Sequence, residues 1–209
     1  FGRPYNRRIV LEAIRQYGPI ARADIAARVG LTVQTVSNII RELEEQNYIA
    51  GVRDAPKSRG YPATSLSINP EGGYAIGINI TPLGLEAALI NLAGEVVARE
   101  QRKLSHPAPE AAFREIFALV EEFKNAKPGQ RMLGIGLAMP GPFDVESMSF
   151  VGPTTLEGWK GVHVQQRLAD GANLPAFIEV DHAAAALGER LYGAGRDFRD
   201  FYYLYFSVG

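Results

Sequence analysis

The spacing of apolar residues changes along the chain, and each change marks a different kind of element. From Asn6 to Tyr17 the stripe Ile9, Val10, Ala13 and Ile14 recurs at 3.6-residue spacing, which predicts an amphipathic helix. Gly18-Pro19 ends it, with Gly18 expected in the left-handed conformation and Pro19 unable to continue a helix. A short helix is predicted over Arg22 to Val29, with Ile25, Ala26 and Val29 inward and Gly30 as its stop. Thr32 is a good N-cap for a third helix reaching about Gln46, whose Val36, Ile39, Ile40 and Leu43 follow the i, i+3, i+4, i+7 pattern. Two short strands follow, Tyr48–Val52 and Thr64–Ile68, flanking a loop rich in turn formers and charge from Arg53 to Pro62.

Asn69–Gly73 reads as a linker, and beyond it the texture changes. Tyr74–Ile80, Leu85–Leu92 and Glu95–Arg102 are three strand candidates, parted by Gly84 and Ala93-Gly94, so they predict an antiparallel meander. A helix over Pro109–Lys124 comes next, then a buried strand at Met132–Ala138 and a helix near Val164–Leu168. A strand at Ala176–Glu179, an Ala-rich helix at Ala183–Tyr192 and a last strand at Phe201–Phe206 complete the pattern. Strands alternating with helices imply an α/β layer architecture. The expected organisation is an α+β module over residues 1–70 and an α/β body over residues 71–209.

Composition narrows the function classes. With 46% of its 209 residues apolar, the chain buries a sizeable core, and intrinsic disorder is excluded. The absence of cysteine excludes disulfides and thiolate metal sites within these residues. No apolar run is long enough to span a bilayer and no basic–apolar–cleavage pattern opens the chain, so the expectation is a cytoplasmic protein with no membrane partner. The net charge of −1 conceals an asymmetry. Residues 1–70 hold ten Lys+Arg against six Asp+Glu, or +4, whereas residues 71–209 hold twelve against seventeen, or −5. That split hints at a basic nucleic-acid module on an acidic body.

The N-terminal elements are the parts of a winged helix-turn-helix: three short helices, a tight Gly30-Leu31-Thr32 turn and a β-ribbon. With its apolar stripe turned inward, the third helix presents Gln34, Thr35, Ser37, Asn38 and Arg41. These side chains suit base edges in a major groove, or phosphates. Arg53, Lys57 and Arg59 in the wing suit phosphate or minor-groove contact, and Arg7, Arg8, Arg22 and Arg28 can neutralise flanking backbone. The alternative is a three-helix adaptor with a solvated polar face.

In the body, the strand Leu133–Ala138 runs into Met139-Pro140-Gly141-Pro142, and a second strand ends at Ile178-Glu179-Val180-Asp181-His182. Open α/β sheets bind ligands beyond such carboxyl ends. Asp181 precedes a helix whose N-terminal dipole favours its charge, so it can accept hydrogen bonds from sugar hydroxyls or act as a base in phosphoryl transfer. The alternative role for Asp181 is a helix N-cap. Trp159 either stacks on a sugar face or sits in the core.

The runs Gly134-x-Gly136-x-Ala138-x-Pro140-Gly141-Pro142, Leu156-x-Gly158-Trp159 and Glu179-x-Asp181-x-x-x-Ala185-Ala186-Leu187-Gly188-Glu189 are similar to those of the ROK family of repressors and sugar kinases. The helix-turn-helix followed by Ser58-Arg59-Gly60-x-Pro62 and Asn69-Pro70 resembles its transcriptional-regulator branch. The resemblance implies an actin-like, ribonuclease-H-like domain that is incomplete in this chain, with sugar bound between two lobes. Its strand ends give Pro140, Gly141, Thr155, Glu179, Asp181 and His182 as the expected effector contacts. It also implies a zinc site beyond Gly209, and a homodimer or homotetramer on operator DNA.

The departures separate the two branches. Kinases of the family carry an Asp-x-Gly-Gly-Thr phosphate loop where this chain reads Asn79-Ile80-Thr81-Pro82-Leu83-Gly84, without the acidic residue and with one amide removed by Pro82. The usual Glu-Asn-Asp reads Glu179-Val180-Asp181, and the Asn often found before Leu-x-Gly-Trp is Thr155. The expected function is therefore non-enzymatic: a DNA-binding transcriptional regulator, repressing carbohydrate-use genes under control of a sugar or sugar derivative, with no cofactor within these residues. The rivals are a sugar kinase carrying a DNA-binding head, and a regulator controlled by a protein partner.

Overall fold

A computed structural model describes residues 2–53, 64–105, 107–141, 143–144, 149–150 and 156–206. The chain divides into two compact units, Phe1–Gly73 with Asn91–Glu95, and Tyr74–Ile90 with Val96–Gly209.

The first unit opens with α1 (Arg3–Tyr17), which begins three residues before the expected start at Asn6 because a proline in its first turn is already set to a helical φ. α2 (Arg22–Val29) ends at Gly30, whose φ of 69° and ψ of 30° give the left-handed stop expected there. α3 (Val33–Glu45) is capped by Thr32, whose hydroxyl accepts from the Thr35 N–H at 3.2 Å. Val10, Ile14, Ile25, Val36, Ile40 and Leu43 interlock at 0–1% exposure, and Leu66 from the ribbon closes the cluster. That ribbon pairs β1 (Ile49–Arg53) antiparallel to β2 (Thr64–Ile68), from Ile49 opposite Ile68 to Arg53 opposite Thr64.

Gly18 departs from expectation. Its φ of −65° and ψ of 147° are extended, not left-handed. What the position demands is the absence of a side chain: a Cβ there would lie 2.6 Å from the Ile14 carbonyl and 3.2 Å from that of Leu66. This close approach lets Ile20 exchange two backbone hydrogen bonds with Leu66, at 3.0 and 2.8 Å. The Asn69–Gly73 stretch is also more structured than an open linker, because Pro70–Gly72 forms a 3-10 turn. The Asn69 amide donates at 3.0 Å to both the carbonyl and the side-chain oxygen of Asn47.

The second unit is a five-stranded sheet with helices. Its elements are β3 (Tyr74–Thr81), β4 (Gly84–Asn91), β5 (Val96–Lys103), α4 (Pro109–Ala126), β6 (Met132–Met139), β7 (Phe143–Asp144), β8 (Ser149–Phe150), α5 (Val164–Ala172), β9 (Ala176–Val180) and α6 (Asp181–Tyr192). The sheet order is β5-β4-β3-β6-β9. β5 is antiparallel to β4, a two-residue turn makes β4 antiparallel to β3, and β6 is parallel to both β3 and β9. The antiparallel meander and the α/β layering are thus as the sequence pattern predicts. Among the described residues, β7 and β8 pair with each other and with no other strand.

Alternation assigns the two faces of the sheet. Tyr74, Ile76, Ile78 and Ile80 of β3, with Ile135, Leu137 and Met139 of β6, join the core formed with Phe113, Ile116 and Val120 of α4 and Leu168 of α5. The other face carries Gly77, Asn79, Gly136 and Ala138 and looks toward α6, in which no residue is fully buried. Residues 201–206 form no strand, contrary to expectation. Tyr202 is 99% and Phe206 89% exposed, because a strand-prone run becomes a strand only where an edge supplies ladder partners, and none of the described residues does so.

Candidate functional sites

The exposed polar face of α3 follows from its phase. Because Val36, Ile39, Ile40 and Leu43 turn into the core, Gln34, Asn38 and Arg41 are exposed and Ser37 half-buried on the opposite side. The Gln34 amide and the Arg41 guanidinium each donate to the Asn38 side-chain oxygen at 3.4 Å. Bonds this long are weak, so exchanging them for other hydrogen-bond partners costs little. Thr35 is engaged locally: its hydroxyl lies 2.9 Å from that of Thr32, which fixes the first turn.

Three of the four flanking arginines have partners within the unit. Arg7 donates to Gln46 and lies over the Tyr48 ring, Arg22 pairs with Glu44 at 3.4 Å, and Arg28 stacks over Tyr17 with 4.1 Å to the ring centroid. Arg8 is exposed. Arg53 ends β1, opposite Thr64, while Lys57 and Arg59 lie outside the described residues.

In the second unit, strand register assembles the other candidate site. Asn79 stands opposite Ala138, and Ala138 opposite Glu179, so the three form one row across β3, β6 and β9 near their carboxyl ends. One step further, Pro140 and Gly141 leave β6 while Asp181 and His182 open α6. Pro140, Gly141, Glu179, Asp181 and His182 therefore gather at a single end of the sheet, whereas Thr155 lies outside the described residues. Asp181 is the first helical residue and not the N-cap, a position held by Val180. The Asp181 carboxylate accepts from the His182 N–H at 2.7 Å and lies 3.2 Å from its Nδ1. Glu179 accepts from the Val180 N–H at 2.9 Å and is exposed. Behind this row a groove of about 890 Å³ runs over the open sheet face, lined by Gly77, Asn79, Gly136, Phe177 and Leu187 among others.

Trp159 belongs to the core. It is 0% exposed, packs on Phe113 with ring centroids 5.6 Å apart, and donates from Nε1 to the Pro107 carbonyl at 2.8 Å.

The β3–β4 turn does not fit a nucleotide. Pro82 has no N–H, and the Leu83 N–H donates at 3.2 Å to the Thr81 hydroxyl. Gly84 is required for a different reason than phosphate approach: at φ 143° its Cβ would sit 2.0 Å from the Arg102 carbonyl. Asn79 was noted in the sequence only as a departure, yet its Oδ1 is a buried side-chain oxygen without a hydrogen-bond partner among the described residues. Its alignment with Glu179 runs through Ala138 and is set by strand register, for which the sequence carries no signal.

Two family patterns cover this chain. A winged helix-turn-helix DNA-binding pattern matches residues 3–50, and the ROK family pattern matches residues 75–209. The chain belongs to the ROK family. It is 26% identical to the xylose repressor of Bacillus subtilis over 211 residues, covering 100% of this chain and 54% of that protein. It is 25% identical to the DNA-binding transcriptional repressor Mlc of Escherichia coli, covering 93% and 49%. A crystal structure of a ROK family transcriptional regulator, a homologue of the E. coli MLC protein, superposes with a TM-score of 0.74 at 25% identity, covering 92% of this chain and 49% of that one. A ROK family glucokinase from Streptomyces griseus, solved with glucose and AMPPNP, shares the fold with a TM-score of 0.53 at 22% identity over 60% of this chain and 38% of that one. This ROK-family chain spans about half the length of the curated relatives it matches. Among its described residues, no helix is long and apolar enough to cross a membrane.

Proposed function

We propose that this chain is the DNA-binding and effector-sensing part of a transcriptional repressor of carbohydrate-use genes. Residues 1–70 hold operator DNA through Gln34, Ser37, Asn38 and Arg41, with Thr35 fixing the first turn of α3 and the wing residues Arg53, Lys57 and Arg59 on the backbone. Residues 71–209 take a sugar or sugar derivative at the strand ends, against Pro140, Gly141, Thr155, Glu179, Asp181 and His182. The working form is a cytoplasmic homodimer or homotetramer, whose paired heads match a near-palindromic operator.

The observation that carries this reading is the β3–β4 turn. A ROK sheet that keeps carboxylates at the strand ends, but whose phosphate turn has one amide missing and another engaged by Thr81, is equipped to sense a hydroxylated ligand and not to phosphorylate it. Regulation is then a population shift in which effector binding favours a conformation with lower operator affinity. A coupling of about 1–3 kcal/mol suffices for useful induction.

The test combines operator gel shifts with a panel of hexoses, pentoses and their phosphates. One ligand releasing DNA, with the response lost in Asp181→Asn, supports the reading. ATP consumption on any of these sugars, abolished by Asp181→Asn, overturns the non-enzymatic part. Operator binding indifferent to every ligand, with no thermal-shift response, supports control by a protein partner instead.

A further inference from the structure

α3 carries one exposed residue that the polar reading of its face leaves out. Val33, the first residue of the helix, is 53% exposed, the only large hydrophobic of α3 left outside the core. The apolar cluster of this unit is closed by Val36, Ile39, Ile40 and Leu43 without it. Val33 lies one turn before Ser37, so its isopropyl group sits at the edge of the exposed face that Gln34, Ser37, Asn38 and Arg41 form. Its β-branch leaves one strongly preferred χ1 rotamer in a helix, so the group is held in place before any partner arrives.

Among the major-groove edges of the four base pairs, one group is apolar, the 5-methyl of thymine. We infer that Val33 is a specificity residue that reads a thymine methyl in the operator, beside an adenine read by the Gln34 or Asn38 amide. The inference rests on the DNA-binding reading of α3 given above. An apolar side chain pressed against a methyl removes both from water and gains nothing from the hydrogen-bonding edges of G·C pairs. The half-site therefore contains an A·T step under the start of α3. Thymine and adenine are each read there by a different side chain, and sequence preference at that step survives loss of the amide.

The experiment selects a binding duplex from a random-sequence library with the full chain, then replaces each thymine in turn by 2′-deoxyuridine, which deletes only the methyl. The expected result is a loss of about fourfold in affinity at one thymine of each half-site, the equivalent of ~0.8 kcal/mol for one methyl-sized group. Val33→Ala should bind the unmodified duplex more weakly and show no further loss on that replacement. Val33→Thr, which keeps one methyl, should retain part of the sensitivity. Alanine raises helix propensity at this exposed position, so an unchanged melting temperature verifies that Val33→Ala folds. Wild-type affinity indifferent to every replacement, or equal sensitivity in Val33→Ala, overturns the inference while leaving DNA binding intact. Failure of the library to enrich any duplex overturns the DNA-binding reading itself, and Val33 falls with it.

Discussion

Trp159→Phe isolates the hydrogen bond that ties the family's Leu-x-Gly-Trp segment to the sheet unit. The indole of Trp159 is fully buried, and its Nε1 donates to the Pro107 carbonyl at 2.8 Å, just ahead of α4. Phenylalanine keeps the aromatic contact with Phe113, now 5.6 Å between centroids, but leaves the Pro107 oxygen buried without that donor. An orphaned buried acceptor costs about 1–3 kcal/mol, and the smaller ring adds ~1 kcal/mol for the void. The sum, about 2–4 kcal/mol, corresponds to a fall of roughly 6–12 °C in the melting transition of a unit this size. Trp159 is the only tryptophan, so its emission assigns that transition in the parent protein, and calorimetry follows it in the variant. The transition of the helix-turn-helix unit should not move, since Trp159 has no place in its core. A shift below about 2 °C, or an equal shift of both transitions, would refute the assignment of Trp159 as the local anchor.

Arg41→Ala and Asn38→Ala should each weaken operator binding by about 1–3 kcal/mol in gel shifts, and unchanged affinity in both would show that α3 does not read bases. Gly18→Ala should destabilise the helix-turn-helix unit, since its Cβ would meet the Ile14 carbonyl at 2.6 Å; an unchanged melting temperature would contradict that close approach. The Glu110 carboxyl is held below the usual carboxylate range, chiefly by the hydrogen bonds donated by Arg167. The stability this pair gives is present above the unfolded carboxyl pKa of about 4.3 and is lost as pH falls through the folded value, so Glu110→Gln should flatten the acid limb of the stability curve. Asn79→Asp places a carboxylate at a buried, unpartnered oxygen, which raises its pKa, so the variant should lose stability relative to the parent as pH rises from about 4 to 7.

Legibility followed how local the determining physics was. α3 was readable to within a residue, because its cap Thr32 adjoins, and its apolar stripe lies within, one thirteen-residue helix. β2 was read with its observed bounds, from a short apolar alternation between turn formers. Gly18 was misread because the sequence signals a glycine but not which neighbour crowds it, and Leu66 lies 48 positions away. Residues 201–206 failed for the opposite reason: β-propensity is local, but a strand needs an edge partner, which no run carries within itself. The carboxylates at the strand ends were visible from their position before α6. Their alignment with Asn79 depended on two parallel registers, which residue spacing along the chain does not encode.

Asn79 and the turn after it both bear on the proposed absence of phosphoryl transfer. A carboxylate in place of Asn79 would stand at a site where the oxygen is buried and finds no donor, and an isolated charge there costs far more than a neutral amide unless a cation balances it. Magnesium with nucleotide phosphates would supply that balance, but their cradle needs free backbone amides on the β3–β4 turn. There Pro82 contributes none, and Thr81 takes that of Leu83. The Thr81 hydroxyl in turn donates to the Gly84 carbonyl at 3.4 Å, so the turn closes on itself as a tight hairpin between two sheet strands. Removing the charge at Asn79 and closing the turn are mutually consistent: each change takes away the reason for the group that the other would need. The carboxylates of Glu179 and Asp181 need no metal to accept hydrogen bonds from hydroxyls, which is the chemistry that the proposed sensing role uses.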